Sequence, residues 1–159
     1  MTTQPEFVHD YLLYLLAAAS DLASSQFHTQ VRKAGLRVPE WRVLACLHDK
    51  DGMMITQLAH TSLVEQSRLT RIIAQMADRG LVSRQGDPKD GRRVRVFLTD
   101  GGRALTAQLV PEARAHETEL ISRLSPTDGP QLKPLLRALL DALEKDAPPK
   151  SVKKRVPKL

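Results

Sequence analysis

The sequence predicts a mainly α-helical protein with one short β-hairpin in its second half. Three observations carry this expectation. Apolar residues recur at spacings of three and four along most of the 159 residues, the period of a helix with one buried face. Aromatic residues are only 4% of a chain that is 42% hydrophobic, so its core must be built mostly from Leu, Ile, Val and Ala. Only in the window 81–98 does the period shorten to two, around the turn-forming pairs Asp87-Pro88 and Asp90-Gly91.

The first helix is expected over 6–32. Phe7, Val8, Tyr11, Leu12, Leu15, Leu16, Ala19, Leu22, Ala23 and Phe27 supply its apolar spacing, and Gly35 is a stop signal. Pro39 suits the first turn of a second helix running to about Asp49, because proline lacks only an N–H that is unused there. Trp41, Val43, Leu44 and Leu47 form its inner face. Asp51-Gly52 marks a turn, and Met53 to Ile55 read as a short extended piece. Thr56 is expected to cap a third helix, Gln57 to about Thr61, with Leu58 and Ala59 inward.

A fourth helix is expected over 65–79. Leu69, Ile72, Ile73 and Met76 share one face, and Gly80 suits a left-handed C-terminal cap. Leu81, Val82 and Ser83 then read as a strand. Val94, Val96 and Leu98 alternate with Arg93, Arg95 and Phe97 as its partner. Thr99 or Asp100 caps a fifth helix reaching about Leu124. Ser125-Pro126-Thr127-Asp128 opens a sixth, with a stripe of leucines at 132, 135, 136, 139, 140 and 143. Pro148-Pro149 and the basic run after them show no apolar period, so 147–159 is expected to be a disordered tail. There is no internal repeat.

Composition narrows the function. The net charge of +6 is concentrated: residues 65–95 carry eight basic and four acidic side chains, and the tail 147–159 carries five basic and none acidic. Such asymmetry suits a polyanionic partner. The five histidines are scattered without His-x-x-His or His-Glu-x-x-His spacing, and no Gly-rich phosphate loop is found. An enzyme, a metal site and a cofactor are therefore not expected. Tyr11 to Ala19, the longest apolar run near the start, falls far short of the roughly 20 residues of a membrane span. No Lys or Arg precedes Arg32, so a basic secretory leader is missing and a cytoplasmic location is expected. Cys46 is the single cysteine, which rules out an intrachain disulfide. Its place between Ala45 and Leu47 suggests an inert buried thiol, with thiol-based redox sensing as the alternative.

Two short helices joined by a tight turn and followed by a basic hairpin are the order of a winged helix-turn-helix. The second of those helices can enter the major groove of double-stranded DNA, which is wide enough to admit it. With Leu69, Ile72, Ile73 and Met76 inward, Gln66, Ser67, Arg68, Thr70 and Arg71 face outward. Arg can donate two bonds to guanine, Gln can pair with adenine, and Ser and Thr serve either role. At the hairpin tip Lys89, Arg92, Arg93 and Arg95 cluster, suited to the negative potential of a narrow minor groove. Asp90 among them can hold an arginine in shape. The DNA-binding set is thus Gln66, Ser67, Arg68, Thr70, Arg71, Asp90, Arg92 and Arg93. The rival readings are an ordinary solvated helix face and a DNA-organising protein without sequence preference. The fold expected is a winged helix-turn-helix over 35–98, with a helical dimerisation region over 1–34 and 99–146. The leucine stripe of the sixth helix is too apolar to leave in water, which predicts a homodimer.

The run from Asp87 to Gly102 resembles the multiple antibiotic resistance regulator (MarR) family, whose pattern is Asp-x-Arg, then three residues, an aliphatic residue, one residue more, and Leu-Thr-x-x-Gly. Asp90, Arg92, Val96, Leu98, Thr99 and Gly102 match it. Leu69 to Ile73 and Arg79 to Val82 resemble the family's recognition helix and the approach to its wing. The resemblance implies a dimer on a pseudo-palindromic operator, usually a repressor. It places Gln66, Ser67, Thr70 and Arg71 on the bases, and Arg92 at the wing tip with Asp90 as partner. It further implies release by a small phenolic or aromatic acid bound among the first, second and fifth helices, with Tyr11, Trp41, Arg42 and His60 as candidates.

Overall fold

The computed structural model describes residues 6–146, so the basic tail 147–159 lies outside the described residues. Ten elements follow in order: α1 (Phe7–Asp10), α2 (Leu12–Lys33), α3 (Val38–Asp49), β1 (Met53–Met54), α4 (Ile55–Ser62), α5 (Gln66–Asp78), β2 (Val82–Gly86), β3 (Val94–Leu98), α6 (Asp100–Ser122) and α7 (Asp128–Asp146). The chain divides into two compact units between His116 and Glu117, within α6.

The first unit holds the core. Val31 of α2, Val43 and Leu47 of α3, Leu58 of α4, Leu69 and Ile73 of α5, Val96 of β3 and Leu109 of α6 are all fully buried. With Met53 of β1 and Val82 of β2 also buried, every element from α2 to α6 sends at least one side chain out of water, each contributing about 1.5–3 kcal/mol. Of α2, only Phe27 and Val31 are buried. Its earlier turns, like α1, leave large apolar side chains in solvent; Phe7 is 75% and Leu22 68% exposed.

Two expected boundaries are corrected. The single helix expected over 6–32 is broken at Tyr11, whose backbone is extended (φ −77°, ψ 122°). The apolar spacing runs on through Val8, Tyr11, Leu12 and Leu15, so it contains no sign of a one-residue break. The helix expected from Gln57 starts at Ile55, and Thr56 lies inside its first turn rather than capping it. Met53 and Met54 pair with Val96 and Arg95 of β3, and the chain passes from that strand straight into the helix. Strand pairing, not a capping side chain, sets where α4 begins.

The sheet has the order β1-β3-β2, antiparallel throughout, with Val82 opposite Leu98 and Gly86 opposite Val94. The expected hairpin is present, with β2 extending to Gly86. Gly80 takes the expected left-handed conformation at φ +70°. At the start of α6, the Thr99 hydroxyl accepts from the Gly102 N–H at 3.1 Å, as expected of a cap. Gly102 itself lies against the chain before β2: a Cβ there would stand 2.1 Å from the Leu81 carbonyl oxygen. The glycine of the Leu-Thr-x-x-Gly pattern is therefore required by close backbone approach.

In the second unit, Ser125 opens α7 by accepting from the Asp128 N–H at 3.0 Å, and Lys133 pairs with Glu117 at 2.7 Å. Leu132, Leu135, Leu136, Leu140 and Leu143 all face solvent in the single chain.

Gly102→Ala should destabilise the protein by about 1–3 kcal/mol, the range for an atom forced into filled space. Gly91→Ala, whose new Cβ meets nothing within 4 Å, should stay within about 0.5 kcal/mol of the parent. Denaturant titration of the two variants measures both, and equal stabilities would refute the packing argument.

Candidate nucleic-acid interface

Helix α5 owes its orientation to Leu69, Ile72, Ile73 and Met76, at most 5% exposed, which dock it on the core. The opposite face then presents Gln66, Ser67, Arg68, Thr70 and Arg71, all exposed. Glu65 caps the helix. Its carboxylate accepts from the Ser67 N–H at 2.9 Å, the Arg68 N–H at 3.0 Å and the Ser67 hydroxyl. These bonds, the Ser67 hydroxyl foremost, hold the Glu65 carboxyl below the ordinary carboxylate range.

The wing loop between β2 and β3 is built around Asp87, which is 7% exposed. One carboxylate oxygen accepts from the backbone N–H groups of Lys89 (2.8 Å) and Asp90 (3.3 Å); the other takes Arg95 Nε at 2.6 Å. The Lys89 bond, then Arg95, lower its pKa. Arg95 also donates to the Gly52 carbonyl at 2.9 Å, tying the hairpin to the turn before β1. Arg95 is thus not one of the free tip cations that the sequence suggests.

Asp90 divides its two oxygens. One accepts from the Arg92 backbone N–H at 3.1 Å, and the other lies 3.5 Å from Arg93 Nε. Its guanidinium partner is Arg93, not Arg92 as the resemblance implied. The loop brings the Arg92 backbone N–H, rather than its guanidinium, onto Asp90. Among the described residues, the guanidinium groups of Arg68, Arg71 and Arg92 make no hydrogen bond or ion pair, so their donors are unspent. A cleft of about 480 Å³ between helix and wing brings Gln66 and Thr70 of α5 together with Arg92 and Arg93, floored by Met54, Ile55, Thr56 and Val94.

Two anchoring groups have no clear mark in the sequence. Glu40 is fully buried. It accepts from the Arg37 N–H at 2.8 Å and the Arg37 guanidinium at 2.9 Å, and both its oxygens lie 3.0 Å from Arg79 Nη1. Arg79 also donates to the Gly35 carbonyl at 2.7 Å, and Arg37 reaches Gln75 of α5. The C-terminal end of α5 is thereby fastened to the start of α3. Burial alone would raise the Glu40 carboxyl, but the bonds from Arg37 and then Arg79 outweigh it and hold the group below its ordinary value of 4.5. The second anchor is Asp51, which accepts from the Leu98 N–H at 2.8 Å and pairs with Arg103 of α6 at 2.7 Å. A capping-box spacing, Arg37 to Glu40, is the one hint available for the first; partners 39 and 52 residues away leave none.

The four candidates for an effector site come from three places in the chain: Tyr11 from the break before α2, Trp41 and Arg42 from α3, and His60 from α4. Tyr11 stacks on Phe7 with ring centroids 5.1 Å apart. Arg42 and His60 are exposed on α3 and α4. Trp41 meets the edge of Phe27 at 5.5 Å, and Phe27 stacks on His116 at 5.8 Å. This aromatic group draws on α2, α3 and α6, the helices expected to supply the site. Phe27 and His116 are not singled out by sequence, since 89 positions separate them and a face-to-face ring contact has no linear signature. Burial, then Asp49, pushes the Cys46 thiol up, which disfavours the reactive thiolate. Among the described residues, no helix is long and apolar enough to cross a membrane.

The MarR family model matches residues 36–94. The chain is 31% identical over 107 residues to the transcriptional regulator HosA of Escherichia coli O111:H-, covering 67% of this chain and 79% of that one. Among solved structures, a MarR family transcriptional regulator from Silicibacter pomeroyi DSS-3 is 62% identical, with a TM-score of 0.79 over 87% of this chain and 98% of that one. Bordetella bronchiseptica BpsR, described for the regulation of its DNA binding by 6-hydroxynicotinic acid, is 25% identical. Its TM-score is 0.76 over 87% of this chain and 99% of that one.

Glu40→Gln leaves two arginines facing a neutral amide. Both are well exposed, at 60% and 44%, so water compensates them in part. The loss at pH 7 should be about 1–2 kcal/mol, below the ~3–5 kcal/mol of a fully enclosed pair. Because the folded carboxyl titrates below 4.5, its contribution is complete above that pH and disappears as pH falls through the lower, folded value. Thermal unfolding against pH should show parent and variant separated at neutral pH and converging in acid. A separation independent of pH would show that the charge of Glu40 is not what stabilises the junction.

Proposed function

Because the chain belongs to the MarR family of transcriptional regulators, we propose that it binds a pseudo-palindromic operator as a homodimer and releases it on binding a small aromatic or phenolic acid. Helix α5 lies in the major groove, and the loop between β2 and β3 reaches the adjacent minor groove. The observation that carries this reading is the division of the cations. Arg79, Arg95 and Arg103 are committed to buried or partly buried carboxylates. Arg68, Arg71 and Arg92 are exposed without such partners, on the helix and loop that flank one cleft. Unspent guanidinium donors on a convex helix and a narrow ribbon match phosphate and base-edge acceptors.

Dimerisation uses the helices of 1–34 and 99–146, and the winged domain is 35–98. The support is the apolar surface that a single chain leaves in water on α1, α2 and α7. A two-fold dimer presents two α5 helices, which is why the operator should be pseudo-palindromic. In keeping with the family's usual mode, the protein acts as a repressor. The five cations of 147–159 add sequence-independent phosphate attraction. The effector occupies the region of Phe27, Trp41 and His116, with Arg42 on the same helix as Trp41 to meet a carboxylate. BpsR responds to an aromatic acid, which supports the ligand class.

Binding to a library of operator variants at fixed salt tests the DNA part. Arg71→Ala should lower affinity and relax preference at one or two positions in each half-site, since a bidentate bond to guanine is worth about 1–3 kcal/mol. Arg92→Ala should lower affinity on most sequences, with lost preference confined to flanking A·T content. Asp90→Ala should fall between parent and Arg92→Ala, because it loosens the loop backbone at Arg92 and frees Arg93. If Arg92→Ala binds like the parent, the wing assignment is wrong. Equal, weak affinity of the parent for all sequences would instead make it a DNA organiser.

The effector part is tested with 6-hydroxynicotinic acid and a panel of aromatic acids. An active compound should raise the melting temperature and weaken operator binding together, because it favours the state with low DNA affinity. Coupling should lie within roughly 5–150-fold, and Trp41→Ala should abolish both effects. A panel in which no compound does both would overturn the effector reading.

A further inference from the structure

Ser67 and Thr70 carry hydroxyls, and a hydroxyl ordinarily rotates to donate or accept as its partner requires. Here both already have an acceptor within the first turns of α5. The Ser67 hydroxyl donates its hydrogen to the Glu65 carboxylate, and the Thr70 hydroxyl donates its own to the Gln66 carbonyl at 3.0 Å. Each is left with lone pairs and nothing to give. The carboxylate of Glu65 accepts three hydrogens, one on Oε1 and two on Oε2. A carboxylate offers about four acceptor positions, so one remains on Oε1. The first turn of α5 therefore presents only acceptors at Glu65 and Ser67, while Arg68 and Arg71 beside them present only donors.

We propose that Glu65 and Ser67 form an acceptor pair that selects a cytosine, through its N4 amine, in each operator half-site. The inference rests on the reading that α5 lies in the major groove. In that groove guanine shows two acceptors, thymine one acceptor and a methyl group, and adenine an acceptor beside its amine. Cytosine alone shows a donor and no acceptor. Phosphate oxygens repel a carboxylate whichever base is present, so the bases are told apart by their edges, and cytosine is the one whose donor has no acceptor beside it on the same base. One N4 hydrogen is used in the base pair. The other meets the free position on Glu65 Oε1 or a lone pair of Ser67 Oγ. Glu65 thus has a second role besides capping: it fixes the direction of the Ser67 hydroxyl and contributes the charge that penalises the wrong base.

The test is selection from a DNA library randomised through both half-sites, using the full-length protein, its Glu65→Gln, Ser67→Ala and Arg71→Ala variants, and a fixed salt concentration. The parent should select a C·G pair at one position of each half-site over the other pairs by about tenfold. Glu65→Gln can turn an amide N–H toward the Ser67 oxygen and releases the hydroxyl to donate. Ser67→Ala removes the hydroxyl but leaves the Glu65 cap on the backbone N–H groups, so it stays informative even if the Gln variant folds poorly. Both should reduce the preference at that one position to less than threefold and leave other positions unchanged. Arg71→Ala should relax a different position. Were Glu65 a helix cap and nothing more, its Gln variant would bind all sequences more weakly with preferences intact, and Ser67→Ala would keep the cytosine; that result overturns the proposal. A parent with preferences that Glu65→Gln and Ser67→Ala leave unaltered overturns it alone. A parent with no base preference anywhere overturns the placement of α5 as well.

Discussion

The orientation of the candidate DNA-contacting surface depends on one buried carboxylate. Glu40 sits with no exposure at the first turn of α3 and takes hydrogen bonds from two arginines. A buried charge is costly unless it is paired and hydrogen-bonded. The fold meets that condition by bringing Arg79, at the end of α5, beside Arg37, at the start of α3, on the one carboxylate. Apolar contacts from Leu69 to Met76 hold α5 against the core, but they are non-directional and tolerate sliding. The ion pairs supply direction. They fix the far end of the helix and hence the angle at which its near end, with Gln66, Ser67 and Arg71, leaves the protein.

The wing follows the same logic with different residues. Asp87 organises its own loop and holds Arg95, and Arg95 reaches the Gly52 carbonyl. Asp51, in the adjoining turn, holds the end of β3 and Arg103 of α6. The result is a short ribbon rigid at its root and charged at its tip. Acidic residues are therefore not merely diluting a basic surface. Glu40, Asp51 and Asp87 commit Arg37, Arg79, Arg103 and Arg95 to structural duty and so determine, by exclusion, which arginines remain for a partner. Net charge cannot express this, because a paired and an unpaired arginine count the same.

The anchor also lies next to the aromatic group. Trp41 follows Glu40 in α3, and through Phe27 and His116 it touches α2 and α6. A ligand can change DNA affinity only by binding two arrangements of the protein unequally. A helix that carries an aromatic wall on one residue and the ionic anchor of α5 on the previous one is an element through which such a difference can be expressed.

Much of this is legible in the linear sequence, because helix, strand and turn are set by neighbours. The period of three and four places the inner faces of α3 and α5 correctly. The change to a period of two, with Asp-Pro and Asp-Gly between, locates the hairpin, and Gly80 marks the end of α5. Patterning of that kind also separates inside from outside, so Gln66, Ser67, Thr70 and Arg71 are assigned outward by their spacing alone. What patterning does not contain is pairing across distance. Arg79 and Glu40 are 39 positions apart, Arg103 and Asp51 are 52, and Phe27 and His116 are 89; nothing local couples them. The break at Tyr11 and the start of α4 escape the pattern for related reasons, one because an apolar stripe runs through it and the other because a strand partner decides it. Local patterning settles which faces are apolar and where cations are plentiful. Which cations are spent is settled by the folded chain, since a guanidinium and a carboxylate become partners when it places them within about 3–3.5 Å of each other.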